Sequence, residues 1–201
     1  EDLPSGARFC SMCGAAQDAA GAATEGPPSP DADPAQPSTP GGTRVSARRV
    51  TSVLFGDLVG FASLAEGRDH EDVRELLSRY FETSRRIVER YGGVVEKFIG
   101  DAVMAVWGVP TANEDDAERA VRAGLELVAA VAGLREEVGA LGLDLRVGIV
   151  TGEVAVTVGA TGQGMVAGDA VNTAARVQSV APAGQVWVDA TTRQLAQQAI
   201  T

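Results

Sequence analysis

Apolar and polar positions change period several times along the chain, and each change marks an element. Val50–Phe55 is a short apolar run rich in β-branched residues. It predicts a buried strand, closed by a turn at Gly56-Asp57. From Asp69 to Tyr91, Val73, Leu76, Leu77, Tyr80 and Phe81 recur at helical spacing behind an acidic first turn of Glu71 and Asp72. That pattern predicts an amphipathic helix. Val94–Ile99 and Ala102–Trp107 are two more strand-like runs around Gly100-Asp101, a pair suited to a hairpin turn. Asn113 as N-cap and the stripe Ala117, Val121, Leu125, Val128, Val131, Leu134, Val138 and Leu141 predict a long helix. A strand over Leu143–Val150 follows. Thr151-Gly152 reads as its end and Glu153–Val158 as a separate strand. After a glycine-rich loop at 159–164, the chain predicts a helix from Asp169 to Val180, a strand over Gln185–Asp189 and a last helix over Thr191–Gln198.

The first six of these elements run β-α-β-β-α-β. The expected fold is therefore α/β of the α+β kind: a ferredoxin-like βαββαβ core with a mainly antiparallel sheet and a C-terminal α/β extension. A right-handed crossover makes the first two strands parallel, with the third antiparallel between them. The hairpin tip then lies at the sheet end where the first strand finishes, so Asp57 and Asp101 become neighbours. Neighbouring carboxylates repel unless a cation stands between them. Hard oxygen donors beside a glycine-rich turn suit Mg²⁺ and a phosphate ester. The plainer reading is a pair of turn aspartates satisfied by local N–H groups. Phe61–Ala65 predicts a short helical turn after Gly60, whose N–H groups suit phosphate oxygens or simply turn the chain.

Three separated segments carry a resemblance: Phe55-Gly56-Asp57-Leu58-Val59-Gly60-Phe61, Lys97-Phe98-Ile99-Gly100-Asp101 and Gly168-Asp169-Ala170-Val171-Asn172-Thr173-Ala174-Ala175-Arg176. In order and spacing they resemble the signatures of the class III adenylate/guanylate cyclase catalytic domain, over about Arg48 to the C-terminus. The resemblance implies that Asp57 and Asp101 hold two Mg²⁺ or Mn²⁺ ions per site. It implies that Asn172 orients the ribose and that Arg176 stabilises charge on the α-phosphate. Taken alone, Arg176 reads as an exposed helix residue and Lys97 as a strand lysine with a solvated head. In relatives that use ATP, a lysine at the place of Lys97 reads the adenine. The acidic residue that usually accompanies it is replaced here by Met165, which cannot accept the adenine amino proton. Gly60, Phe61, Lys97 and Met165 are thus the expected substrate-binding residues. Aspartates and the Lys–Asn–Arg set come from different chains in the family, so one chain holding both implies a homodimer with two shared sites. The expected activity is adenylate cyclase, ATP to 3′,5′-cyclic AMP and pyrophosphate. The alternative is a weak or inactive nucleotide-binding and dimerisation module that regulates an attached effector.

Composition narrows the setting. The net charge of −10 and the lack of a basic run argue against a nucleic-acid partner. No apolar run approaches the roughly 20 residues of a membrane helix, so a cytoplasmic chain with no membrane contact is expected. Cys10 and Cys13 form a CxxC at residues 1–14 that resembles one knuckle of a zinc ribbon. Two thiolates are half of the four ligands that zinc takes, so Zn²⁺ is not expected to be held at Cys10/Cys13 by this chain alone. Residues 15–43 hold six of the nine prolines with few large side chains, which predicts a disordered linker. The catalytic domain is expected over 44–201, cut short before the strand pair that in the family carries a phosphate-binding lysine. The only histidine, His70, falls in an exposed first turn of the helix from Asp69 and is expected on the surface.

Overall fold

The computed structural model describes residues 46–139, 142–157 and 166–198. The CxxC at Cys10 and Cys13, the linker at 15–43, Met165 and the glycine-rich loop lie outside them. The elements run β1 (Ser46–Val59), α1 (Phe61–Glu66), α2 (His70–Arg90), β2 (Val94–Ile99), β3 (Ala102–Trp107), α3 (Asp116–Glu137) and β4 (Asp144–Thr157). Then come β5 (Val166–Ala167), α4 (Asp169–Val180), β6 (Val186–Val188) and α5 (Ala190–Ala196). The sheet order is β2-β3-β1-β4-β5, and β6 pairs parallel with β4. β3 is antiparallel to both β1 and β2, the slot expected of a ferredoxin-like core.

Alternation along the strands sends side chains into two cores. On one face Leu54, Leu58, Val103, Ala105, Trp107, Leu145, Val147 and Ile149 pack against α2, α3 and α5. The fully buried Trp107 donates its indole N–H to the Tyr91 carbonyl at 3.0 Å, so the largest apolar body in this core leaves no donor unpaired. On the other face Val53, Met104, Val106, Val150, Val154 and Val156 pack with Ala170 and Ala174 of α4. These small residues, with Gln178, make the buried stripe of α4 at steps of four, as one helix face requires. Gly148 lets the helix come close: a Cβ there would stand 2.3 Å from the Gln178 nitrogen.

Four local expectations change. Gly56-Asp57 is not a turn. β1 runs on to Val59, with Gly56 opposite Val147 and Asp57 opposite Arg146. Thr151-Gly152 does not divide β4, which is continuous. The pair faces Ser52 and Thr51 of β1, and cross-strand pairing overrides the local turn preference. Asn113 is not the cap of α3; Asp115 is. The Asp116 carboxylate instead reaches back to accept the Asn113 N–H at 2.7 Å, and takes Arg119 Nη2 at 2.6 Å. The cap residue of α4 is Gly168, with Asp169 as its first helical residue. Other boundaries agree closely: Asp69 caps α2, accepting the Glu71 N–H at 2.8 Å, and His70 is exposed in its first turn.

Candidate active site

Asp57 stands near the end of β1 on the face that α4 covers. Gly56 pairs with Val103 in β3, so Asp57 lies level with the start of that strand, one residue from Asp101 in the hairpin turn. Desolvation pushes the Asp101 carboxyl above its ordinary range. Its own backbone N–H opposes the rise, the Asp57 charge adds to it, and Arg146 offsets part. The two acids therefore share one field, as the topology predicted.

Arg146, directly opposite Asp57 on β4, donates Nη2 to Asp57 Oδ2 at 2.7 Å and Nε at 3.2 Å. Gln178 of α4 adds Nε2 to the same oxygen at 3.3 Å. All three bonds fall on Oδ2, and among the described residues no hydrogen bond falls on Oδ1. Sequence reasoning passed over both residues. The signals were there: Arg146 is a charge inside an apolar strand, and Gln178 is the polar member of the alanine stripe of α4. Tyr80 is buried in the larger core, on the other face of the sheet. Burial pushes the Tyr80 hydroxyl far above its ordinary pKa, and the Asp101 and Asp57 charges add to the effect. Tyr80 stays a neutral phenol in that core.

Gly60 follows at φ +80° as the N-cap of α1. A Cβ there would lie 2.3 Å from the Gly142 carbonyl oxygen, so glycine alone fits. Phe61 packs on the larger core. No side chain caps the first N–H groups of α1. Lys97 is half-buried on β2, opposite Met104, on the same sheet face as Asp57. Asn172 and Arg176 are both exposed on α4. Their side chains make no hydrogen bond or ion pair with Asp57 or Asp101. Within one chain, then, the carboxylates come together while Asn172 and Arg176 stand apart on a helix surface.

Asp57 and Asp101 offer oxygen donors only. Among the described residues no group of three His, Cys, Asp or Glu assembles. A two-carboxylate seat fits Mg²⁺ or Mn²⁺, which complete their shells with water and substrate phosphate.

The profile of the adenylate and guanylate cyclase catalytic domain matches residues 45–201. The chain belongs to that family. This cyclase domain is 34% identical over 145 residues to adenylate cyclase 1 of Rhizobium meliloti, an alignment covering 69% of this chain and 22% of that protein. The chain thus spans about a fifth of that relative's length. Its fold is similar to the adenylyl cyclase CyaB from P. aeruginosa, with a TM-score of 0.72 and 32% identity over 78% of this chain and 85% of that one. It is similar also to the guanylyl cyclase Cya2, with a TM-score of 0.68 and 35% identity over 75% and 80% of the two chains. The CxxC of Cys10 and Cys13 lies outside the family match, and nothing in these comparisons supports a zinc ribbon. Among the described residues no helix is long and apolar enough to cross a membrane.

Proposed function

We propose that this cyclase domain is an adenylate cyclase, turning ATP into 3′,5′-cyclic AMP and pyrophosphate at two sites shared across a homodimer. One observation carries the reading. Asp57 and Asp101 come together at one end of the sheet, while Asn172 and Arg176 stand exposed on α4, with no bond to either carboxylate among the described residues. Such a surface serves a partner better than it serves the chain that bears it.

In the reaction the ribose 3′-oxygen loses its proton and bonds to the α-phosphorus, and the bond to pyrophosphate breaks. Mg²⁺ or Mn²⁺, when bound, lowers the pKa of the 3′-hydroxyl and neutralises phosphate charge. Asp57 and Asp101 hold the ions, with Arg146 keeping the Asp57 carboxylate in one orientation. Asn172 of the second chain orients the ribose. Arg176, always charged and planar, meets the negative charge that grows on the α-phosphate. Lys97 of that second chain donates to adenine N1, an acceptor, and opposes guanine N1–H, a donor. Gly60 and Phe61 set the backbone beside the phosphates, and Met165 gives the base an apolar contact. The domain plan that goes with this reading is a catalytic unit over 44–201 behind a linker at 15–43.

Product analysis from ATP and from GTP, with Mn²⁺ and with Mg²⁺, tests the reading. Cyclic AMP as the main product supports it. Nucleotide binding without any cyclic product would favour the regulatory module instead, and a preference for GTP would remove Lys97 from base selection.

A further inference from the structure

We propose that Gln178 is a positioning residue for the cation seat, holding the Asp57 carboxylate so that Oδ1 is the oxygen presented to the ion. The inference rests on reading Asp57 as a metal ligand. Three observations carry it. Gln178 is buried to 9% exposure and lies on the alanine stripe of α4, where an apolar residue would pack as well. Its amide nitrogen reaches Asp57 Oδ2 at 3.3 Å across 121 residues of sequence. Among the described residues every hydrogen-bond donor on Asp57 is on that same oxygen, Arg146 Nη2 at 2.7 Å and Nε at 3.2 Å with Gln178 beside them.

A carboxylate held at one oxygen by donors from two elements has lost its free rotation. Its other oxygen then points in a single direction. Arg146 alone does not secure this, because both its bonds come from β4, the strand that pairs with β1 and moves with it. Gln178 supplies the bond from a different layer. Arg146 also donates Nη1 to the Ser179 carbonyl at 3.1 Å, so Asp57 is tied to the last turn of α4 twice. The amide is neutral. It orients the carboxylate without adding the positive charge that would repel a cation. Partners of this kind, one step removed from the ion, change metal affinity or activity by about 10–100-fold when lost.

The test uses the full chain and Mn²⁺ alone, with free Mn²⁺ read by electron paramagnetic resonance. Gln178→Met keeps the size of the side chain and removes the donor. It should weaken Mn²⁺ binding by about tenfold and lower kcat with little change in KM for the nucleotide. The same substitution made on an Asp57→Asn background should have no further effect on Mn²⁺. Should the methionine variant fail to fold by circular dichroism, Gln178→Leu serves the same comparison. A Kd for Mn²⁺ within twofold of the parent, or tighter than the parent, would overturn the proposal. So would an equal loss on the Asp57→Asn background, which would place the effect of Gln178 elsewhere. The binding arm needs no turnover. Weakened Mn²⁺ binding in a chain that makes no cyclic nucleotide would leave the positioning role standing and count against the cyclase reading. Turnover with Mn²⁺ binding unmoved by Gln178→Met would do the reverse.

Discussion

Asp57 and Asp101 differ at the residue scale, although both are candidate metal ligands. Asp101 sits in a hairpin turn with its own backbone N–H as support. Asp57 lies inside a strand and answers a half-buried arginine. Either Asp→Ala change should abolish cyclic nucleotide formation. Asp57→Ala should also cost roughly 1–3 kcal/mol of stability, since Arg146 loses its charged partner, whereas Asp101→Ala should cost little. Urea melts beside product assays separate the two effects. Equal melts would mean that the Arg146 pair contributes nothing to folding. Lys97 makes a second case. Its ammonium can only donate, so Lys97→Ala should lower the ATP:GTP ratio of kcat/KM by about one to two powers of ten. An unchanged ratio would take Lys97 out of the purine pocket.

At the scale of elements, a chain of buried hydroxyls joins α5 to the sheet. Thr192 Oγ1 lies 2.8 Å from Thr151 Oγ1, which lies 2.8 Å from Ser52 Oγ. Asp189, the N-cap of α5, accepts the N–H groups of Thr191 and Thr192 and the Thr192 hydroxyl. It also accepts the Thr151 N–H at 3.3 Å. Desolvation pushes the Asp189 carboxyl up, but the bonds from Thr192, Thr151 and Thr191 outweigh it and leave it below its ordinary value. A carboxyl lowered in the folded state stabilises above its unfolded pKa, near 4, and the contribution fades as pH falls through the folded value. Asp189→Ala should therefore cost about 0.5–2 kcal/mol at neutral pH, as cap losses do. The gap to the parent should narrow between neutral pH and an acid pH below the ordinary carboxylate range. Urea midpoints at the two pH values check this, and a gap that does not depend on pH would show that the charge of Asp189 is not what caps the helix.

At the scale of the whole molecule, the candidate residues divide between two surfaces. The carboxylates lie at one end of the sheet, and Asn172 and Arg176 on the exposed face of α4. A homodimer with shared sites makes a sharp demand. Asp57→Ala and Arg176→Ala, each inactive alone, should regain activity when mixed, at the one heterodimer site that escapes both lesions. At most a quarter of the parent's activity is expected, since about half of the dimers are mixed and each has one intact site. No recovery in mixtures shown to contain heterodimers would place every catalytic group in one chain.

Periodicity alone determined most of the elements, because apolar positions every two or every three to four residues leave a strand or a helix one way to bury itself. The order of those elements then determined the sheet, and with it the meeting of Asp57 and Asp101, since short connections admit few topologies. Three motifs in order pointed to the family. Tertiary structure decided what local preference could not. Gly56-Asp57 and Thr151-Gly152 look like turns to any local rule, yet both lie in strands, because β1 and β4 pair along fourteen positions and that ladder outweighs a turn preference at either dipeptide. Arg146 and Gln178 lie 89 and 121 residues from Asp57 in the chain. Only the register of β4 against β1 and the close seat of α4 at Gly148 bring them to one carboxylate oxygen. A pattern along the chain records which face a residue takes, and carries no record of which distant residue will stand opposite.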